Sequence, residues 1–166
     1  MRARLMLGIS LFFTTLMVAK ETTLIDYAMQ DQFDQEYTQD SFIGKYIILF
    51  GADRKGSQFS DRWGNALRDS LSERAINDSI QFVSLANLDG VPALMKGMVK
   101  RFFPKEKDSW ALMDWDGLFA SSYDFAPDQC NILVFDKEKN LLAHKAVTDF
   151  EEVMVSEILK SFVQTE

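Results

Sequence analysis

Cysteine occurs once, as Cys130, so no disulfide can form within the chain and the fold must be held by its core alone. Histidine also occurs once. His144 has no Cys or Ser at motif spacing, which excludes a nucleophile-His pair read from sequence and any His/Cys zinc set. Basic residues are the minority, 18 against 25 acids, for a net charge of −7. That sign excludes non-specific nucleic-acid binding, which needs a basic surface to neutralise phosphates, and disfavours adsorption to anionic lipid. There are no repeats, no low-complexity tract and no internal linker. No metal or cofactor is expected.

What is present suits one globular domain. Hydrophobic residues make up 47% of 166, and 14 Phe and three Trp supply large core side chains. Residues 1–19 read as a signal peptide or an N-terminal anchor. Arg2 and Arg4 precede a mostly apolar run from Leu5 to Val18, with the small Ala19 at its end. The run is shorter than the roughly 20 apolar residues that span a bilayer. Residues 20–41 read as a polar, acidic lead-in with room for one short strand. The main domain is placed at 42–166.

From residue 42, strand and helix patterns alternate. Lys45–Phe50 is a continuous apolar run of strand length, as expected of a central strand covered on both faces. Residues 51–59 form a Gly-containing loop, and Ser60 or Asp61 is expected to cap a helix carrying Trp63, Ala66, Leu67, Leu71 and Ala75. Ile80–Leu85 is a second strand. Pro92 suits the first turn of a helix. Leu94, Met95, Met98, Val99, Phe102 and Phe103 would form its apolar face, with Lys96, Lys100 and Arg101 outward and Pro104 ending it. Trp110–Met113 is a third strand, and Leu118–Tyr123 a short helix. Asn131–Phe135 and Leu141–Ala146 read as a hairpin, and a C-terminal helix follows with Asp149 as its cap. The order βαβαβαββα implies an α/β fold with a mixed, mostly parallel sheet of about five strands and helices on both faces.

Three segments carry a resemblance. Gly44-Lys45 before the strand Tyr46–Phe50, the run Asp114-Trp-Asp-Gly-Leu-Phe-Ala-Ser-Ser-Tyr123, and the turn Asp136–Asn140 are similar in order and spacing to the thioredoxin fold in its redoxin branch. Leu88-Asp-Gly-Val-Pro92 and the basic-apolar helix ending Phe103-Pro104 further resemble the YtfJ-type exported proteins. The resemblance implies a thioredoxin-like fold over about residues 42–163 and a periplasmic or secreted location. It also implies a C-x-x-C loop after the first strand, and there the sequence departs. Lys55 and Gln58 stand where the cysteines would be, and the Thr of the peroxidatic pattern is missing. Neither residue can form a mixed disulfide.

Two functional readings follow. In one, the protein is a non-catalytic binding or accessory module for a peptide or protein partner. Its binding residues would be Arg54, Lys55 and Gln58 at a helix N-terminus, where an anion could also sit, and a half-exposed Trp115. Trp110 is assigned to the core. In the other, Cys130 is the catalytic residue of a one-cysteine thiol oxidoreductase. The resemblance places Cys130 near Lys55, whose ammonium would lower the thiol pKa. Pro127 is available for a cis bond beside it. Asp114, Asp116, Asp124 and Asp128 invite a cation site, but they lack EF-hand spacing, and turn formation is the simpler role. No nucleic-acid partner, and no membrane contact after signal cleavage, is expected.

Overall fold

The computed structural model describes residues 21–72, 74 and 77–162. The 1–19 targeting segment and the helical assignment of Ala75 lie outside these residues. Two short strands, β1 (Ala28–Gln30) and β2 (Glu36–Thr38), form an antiparallel hairpin. They are followed by β3 (Tyr46–Ala52), α1 (Ser57–Ser72), β4 (Ile80–Asn87), α2 (Lys96–Val99), β5 (Ala111–Asp114) and α3 (Leu118–Tyr123). Then come β6 (Cys130–Phe135), β7 (Leu141–Val147) and α4 (Glu152–Lys160). The main sheet has the order β5-β4-β3-β6-β7. β3, β4 and β5 run parallel, whereas β6 and β7 are antiparallel to their neighbours. The expected five-stranded mixed sheet is present.

The apolar run at β3 is continuous because both its faces are covered, and successive side chains alternate between them. Ile48 and Phe50 face a core built with Trp63, Leu67 and Leu71 of α1 and Val155 and Ile158 of α4. Ile47 and Leu49 face a second core built with Phe119 and Tyr123 of α3. That second core also contains Leu24, Tyr27 and Met29. The stretch read as a polar lead-in, 20–41, therefore contains a mostly apolar run, 24–29, that places Leu24, Tyr27 and Met29 inside the domain. Tyr123 fixes them: its hydroxyl accepts from Ile25 N at 2.9 Å and donates to Thr23 O at 2.7 Å.

Three local expectations are corrected. Helix α1 starts at Ser57 rather than at Ser60 or Asp61, because Asp53 satisfies the chain just before it. Asp149 does not cap α4; Glu151 occupies that position, with no side-chain cap. Residues 93–102 are not one helix but α2 between two 3-10 turns, Ala93–Met95 and Lys100–Phe102. Gly97 lies in the middle, and glycine costs a helix interior about 1 kcal/mol relative to Ala. The segment is also turned over. Lys96 and Lys100 lie towards the protein body, while Leu94, Met95, Met98 and Phe102 are exposed.

Candidate functional site: the loop between β3 and α1

Parallel strands β3, β4 and β5 end on the same side of the sheet, and the loop 53–56 leaves β3 there to enter α1. The turn 126–129, which leads into β6, packs against it. Two glycines permit this approach. A Cβ on Gly51 would overlap the Phe125 ring, and one on Gly56 would overlap the backbone carbonyl of Gln129. Asn131 holds the turn. Its Oδ1 accepts from Ala126 N at 2.9 Å, and its Nδ2 donates to Ala126 O at 3.1 Å and Gln129 O at 3.3 Å. Asp128 takes a positive φ of 61°, a conformation that Asp tolerates better than most residues. The peptide before Pro127 is trans, since the described residues contain no cis bond.

Asp53 organises the loop. Its Oδ1 accepts from Lys55 N at 2.9 Å and Gly56 N at 2.7 Å, and its Oδ2 accepts from Asp128 N at 2.8 Å. Its carbonyl accepts from Ser57 N at 2.9 Å. Burial would raise this carboxyl, but the amides of Gly56, Asp128 and Lys55 outweigh it and bring it below its ordinary value. Amides that an anion would need are thus already bonded to a carboxylate that belongs to the chain. An anion at this helix start would meet a fixed negative charge. Sequence reasoning missed Asp53, although an Asp three residues before a Gly at a helix entrance is a legible capping signal. Asp53→Ala is expected to destabilise the protein by about 1–3 kcal/mol, since three backbone amides lose their acceptor. Urea denaturation at neutral pH measures this.

The sequence-assigned residues are only partly brought together. Lys55 Nζ donates to Asp128 Oδ2 at 2.9 Å, and this bond and charge raise the Lys55 pKa. Both side chains are largely exposed, 73% and 56%, so the pair adds little stability. Gln58 Nε2 donates to Lys55 O at 2.8 Å, and Arg54 is exposed, its carbonyl accepting from Ser57 Oγ. The turn before β6 does meet the loop, as the resemblance implied, but Asp128, not Cys130, meets Lys55.

Cys130 points into the core. It is fully buried among the residues of the first core, where its Sγ accepts from Ser60 Oγ at 3.5 Å. Burial pushes its thiol up to about 11, only partly offset by the Ser60 bond. The expected activated thiolate is therefore corrected. Lys55 spends its charge on Asp128, and desolvation, which favours the neutral thiol, dominates at Cys130.

Trp115 stands at the same side of the sheet, beyond β5, with β4 between that strand and β3. It is half-buried, with Lys96 Nζ 4.9 Å above its ring. Together with Met29, Gln30, Glu36 and Asp116 it lines a cleft of about 340 Å³. Trp110 is half-buried and stacks on Tyr37 with centroids 4.5 Å apart. His144 Nε2 lies 3.4 Å from Asn131 Oδ1, a bracing contact for the turn. Asp114 is buried and takes the first amides of α3, from Leu118 and Phe119. Burial raises its pKa. Among the described residues, no three His, Cys, Asp or Glu side chains gather as metal ligands would.

No protein-family profile matches the chain, and no curated protein matches it. Solved structures do. Yeast Sco1 superposes with a TM-score of 0.62 at 14% identity, over 89% of this chain and 98% of its own. The pneumococcal exposed lipoprotein thioredoxin Etrx1 from Streptococcus pneumoniae gives 0.59 at 15%, over 82% and 98%. The fold is thioredoxin-like. A secreted Mycobacterium tuberculosis disulfide oxidoreductase, described as homologous to E. coli DsbE, gives 0.52 at 14%, over 84% and 96%. In this thioredoxin-like chain the loop after β3 reads Asp53-Arg-Lys-Gly56, without cysteine. No helix among the described residues is long and apolar enough to cross a membrane.

Proposed function

We propose that this protein is an exported, non-catalytic thioredoxin-fold module that binds an extended peptide or a protein partner. One observation carries the reading. Its only cysteine is a core residue with a thiol at about 11, behind a loop that Asp53 closes on itself. A thiol enzyme needs an accessible thiolate, and this arrangement opposes both accessibility and ionisation. The N-terminal Arg-flanked apolar segment and the resemblance to YtfJ-type exported proteins support a periplasmic or secreted location. Of the sequence-assigned binding residues, Trp115 has the better surroundings: a half-buried ring beside a cleft, able to contribute contact area at little entropic cost.

The test has two arms. In a dithiothreitol-coupled insulin reduction assay, the protein is expected to add nothing to the buffer rate, and Cys130→Ser is expected to behave identically. In an array of extended peptides, saturable binding is expected, weakened at least fivefold by Trp115→Ala. Turnover that depends on Cys130 would replace this reading with the thiol oxidoreductase.

A further inference from the structure

The segment from Ala93 to Lys107 is built the wrong way round for a helix that packs on a sheet. Leu94, Met98 and Phe102 recur every four residues and lie on its outer side, with exposures of 100%, 46% and 79%. Its inner side carries lysines. Lys96 Nζ lies over the Trp115 ring, and Lys100 Nζ pairs with Asp34 in the turn between β1 and β2. These two contacts hold the segment to the domain with its apolar ridge directed at solvent. Charge follows the same segment. Besides the inward Lys96 and Lys100 it carries Arg101, Lys105 and Lys107, with Glu106 and the adjoining Asp108 as its acids, in a chain whose net charge is −7. Arg101, Lys105 and Lys107 are exposed, the first next to Phe102 in sequence and the others just after it.

We propose that this ridge docks the domain on an anionic lipid surface, with Leu94, Met98 and Phe102 entering the headgroup–acyl boundary and Arg101, Lys105 and Lys107 meeting lipid phosphates. The shape favours lipid over a protein partner. Exposed apolar side chains such as Leu94 and Phe102 find their contacts by entering a soft phase, whereas a protein would need a matching groove. The composition is that of an interfacial amphipathic segment: bulky apolar residues on one side, basic residues at its margin, and too short to span. The whole-chain charge argued against anionic lipid, but it averages over this segment. Within a Debye length of about 8 Å the local charge decides, and there Arg101, Lys105 and Lys107 outnumber Glu106 and Asp108.

The experiment uses the full chain with Met98→Cys carrying a polarity-sensitive fluorophore, so that the signal reports the ridge and not the apolar N-terminus. Wild-type protein under the same labelling conditions is the control. Vesicles of phosphatidylcholine with 30% phosphatidylglycerol are expected to shift the emission to the blue. The apparent affinity is expected to fall about tenfold or more with pure phosphatidylcholine, and likewise for the triple variant R101E/K105E/K107E. An unshifted emission on both vesicles would overturn the proposal. So would a shift equal on both and insensitive to charge reversal, or one that appears with protein concentration alone, which would put a second copy on the ridge.

Discussion

In the native protein Cys130 is expected to react with iodoacetamide about 100-fold more slowly at pH 8 than in the urea-unfolded chain. The thiol is pushed from 9.0 to about 11 by burial, and two pH units correspond to roughly a hundredfold in thiolate fraction. Exclusion of the reagent from a fully buried sulfur slows it further. Mass spectrometry of timed aliquots gives both rates. Equal rates, or a faster native rate, would return the thiolate to the surface and sink the non-catalytic reading. The same shift makes stability depend on pH. Because the folded-state value lies above the unfolded one, the contribution of Cys130 is complete below about pH 9 and is lost as pH rises towards 11. The loss is on the order of 3 kcal/mol. Tyr123, held near 12 by burial, acts in the same sense at still higher pH. Cys130→Ala is expected to flatten the fall between pH 9 and 11.

Gly56→Ala is expected to destabilise the protein by about 3 kcal/mol or more, lowering the melting temperature by roughly 10 °C. The added methyl meets the Gln129 carbonyl, which is backbone and cannot swing aside. Either the turn before β6 or the entrance of α1 must move, and Asp53 ties the two together. Gly97→Ala supplies the contrast within the same chain. Nothing lies within 4 Å of its Cβ position, and it is helical. There the substitution is expected to be neutral or to stabilise by about 0.5–1 kcal/mol. Thermal unfolding of both variants measures the pair. A Gly56→Ala protein as stable as wild type would mean that the loop and the turn are not in close contact.

Much of this architecture is legible in the sequence because it follows from periodicity. Tyr46–Ala52 is apolar without interruption, and only a strand covered on both faces needs that. The hairpin of β6 and β7 and helices α1, α3 and α4 follow from equally local patterns. Residues 93–102 were misassigned in orientation because the helical spacing of Leu94, Met98 and Phe102 says which residues share a face, not which way the face points. Lys96 and Lys100 decide that, through Trp115 and Asp34. Residues 24–29 were overlooked for a different reason: the acids and glutamines spread over 20–41 hide one short apolar run, which puts Leu24, Tyr27 and Met29 inside. At the site, sequence spacing located the turn that meets the loop. It could not tell which of Asp128 and Cys130 would face outward, since that depends on the positive φ at Asp128.

The anchoring of residues 23–25 also constrains when the structure can be completed. Their partners at Tyr123 lie 98 and 100 residues further along the chain, and Leu24 N bonds to Lys139 O in the turn between β6 and β7. Contacts of such separation are the slowest to form, because a long loop must close before they are rewarded. The first stretch of the domain to be synthesised is thus the last to be secured. Until α3 and the final hairpin exist, Leu24, Tyr27 and Met29 meet only the part of their core that β3, β4 and β5 supply, without Phe119, Tyr123, Leu133 and Phe135.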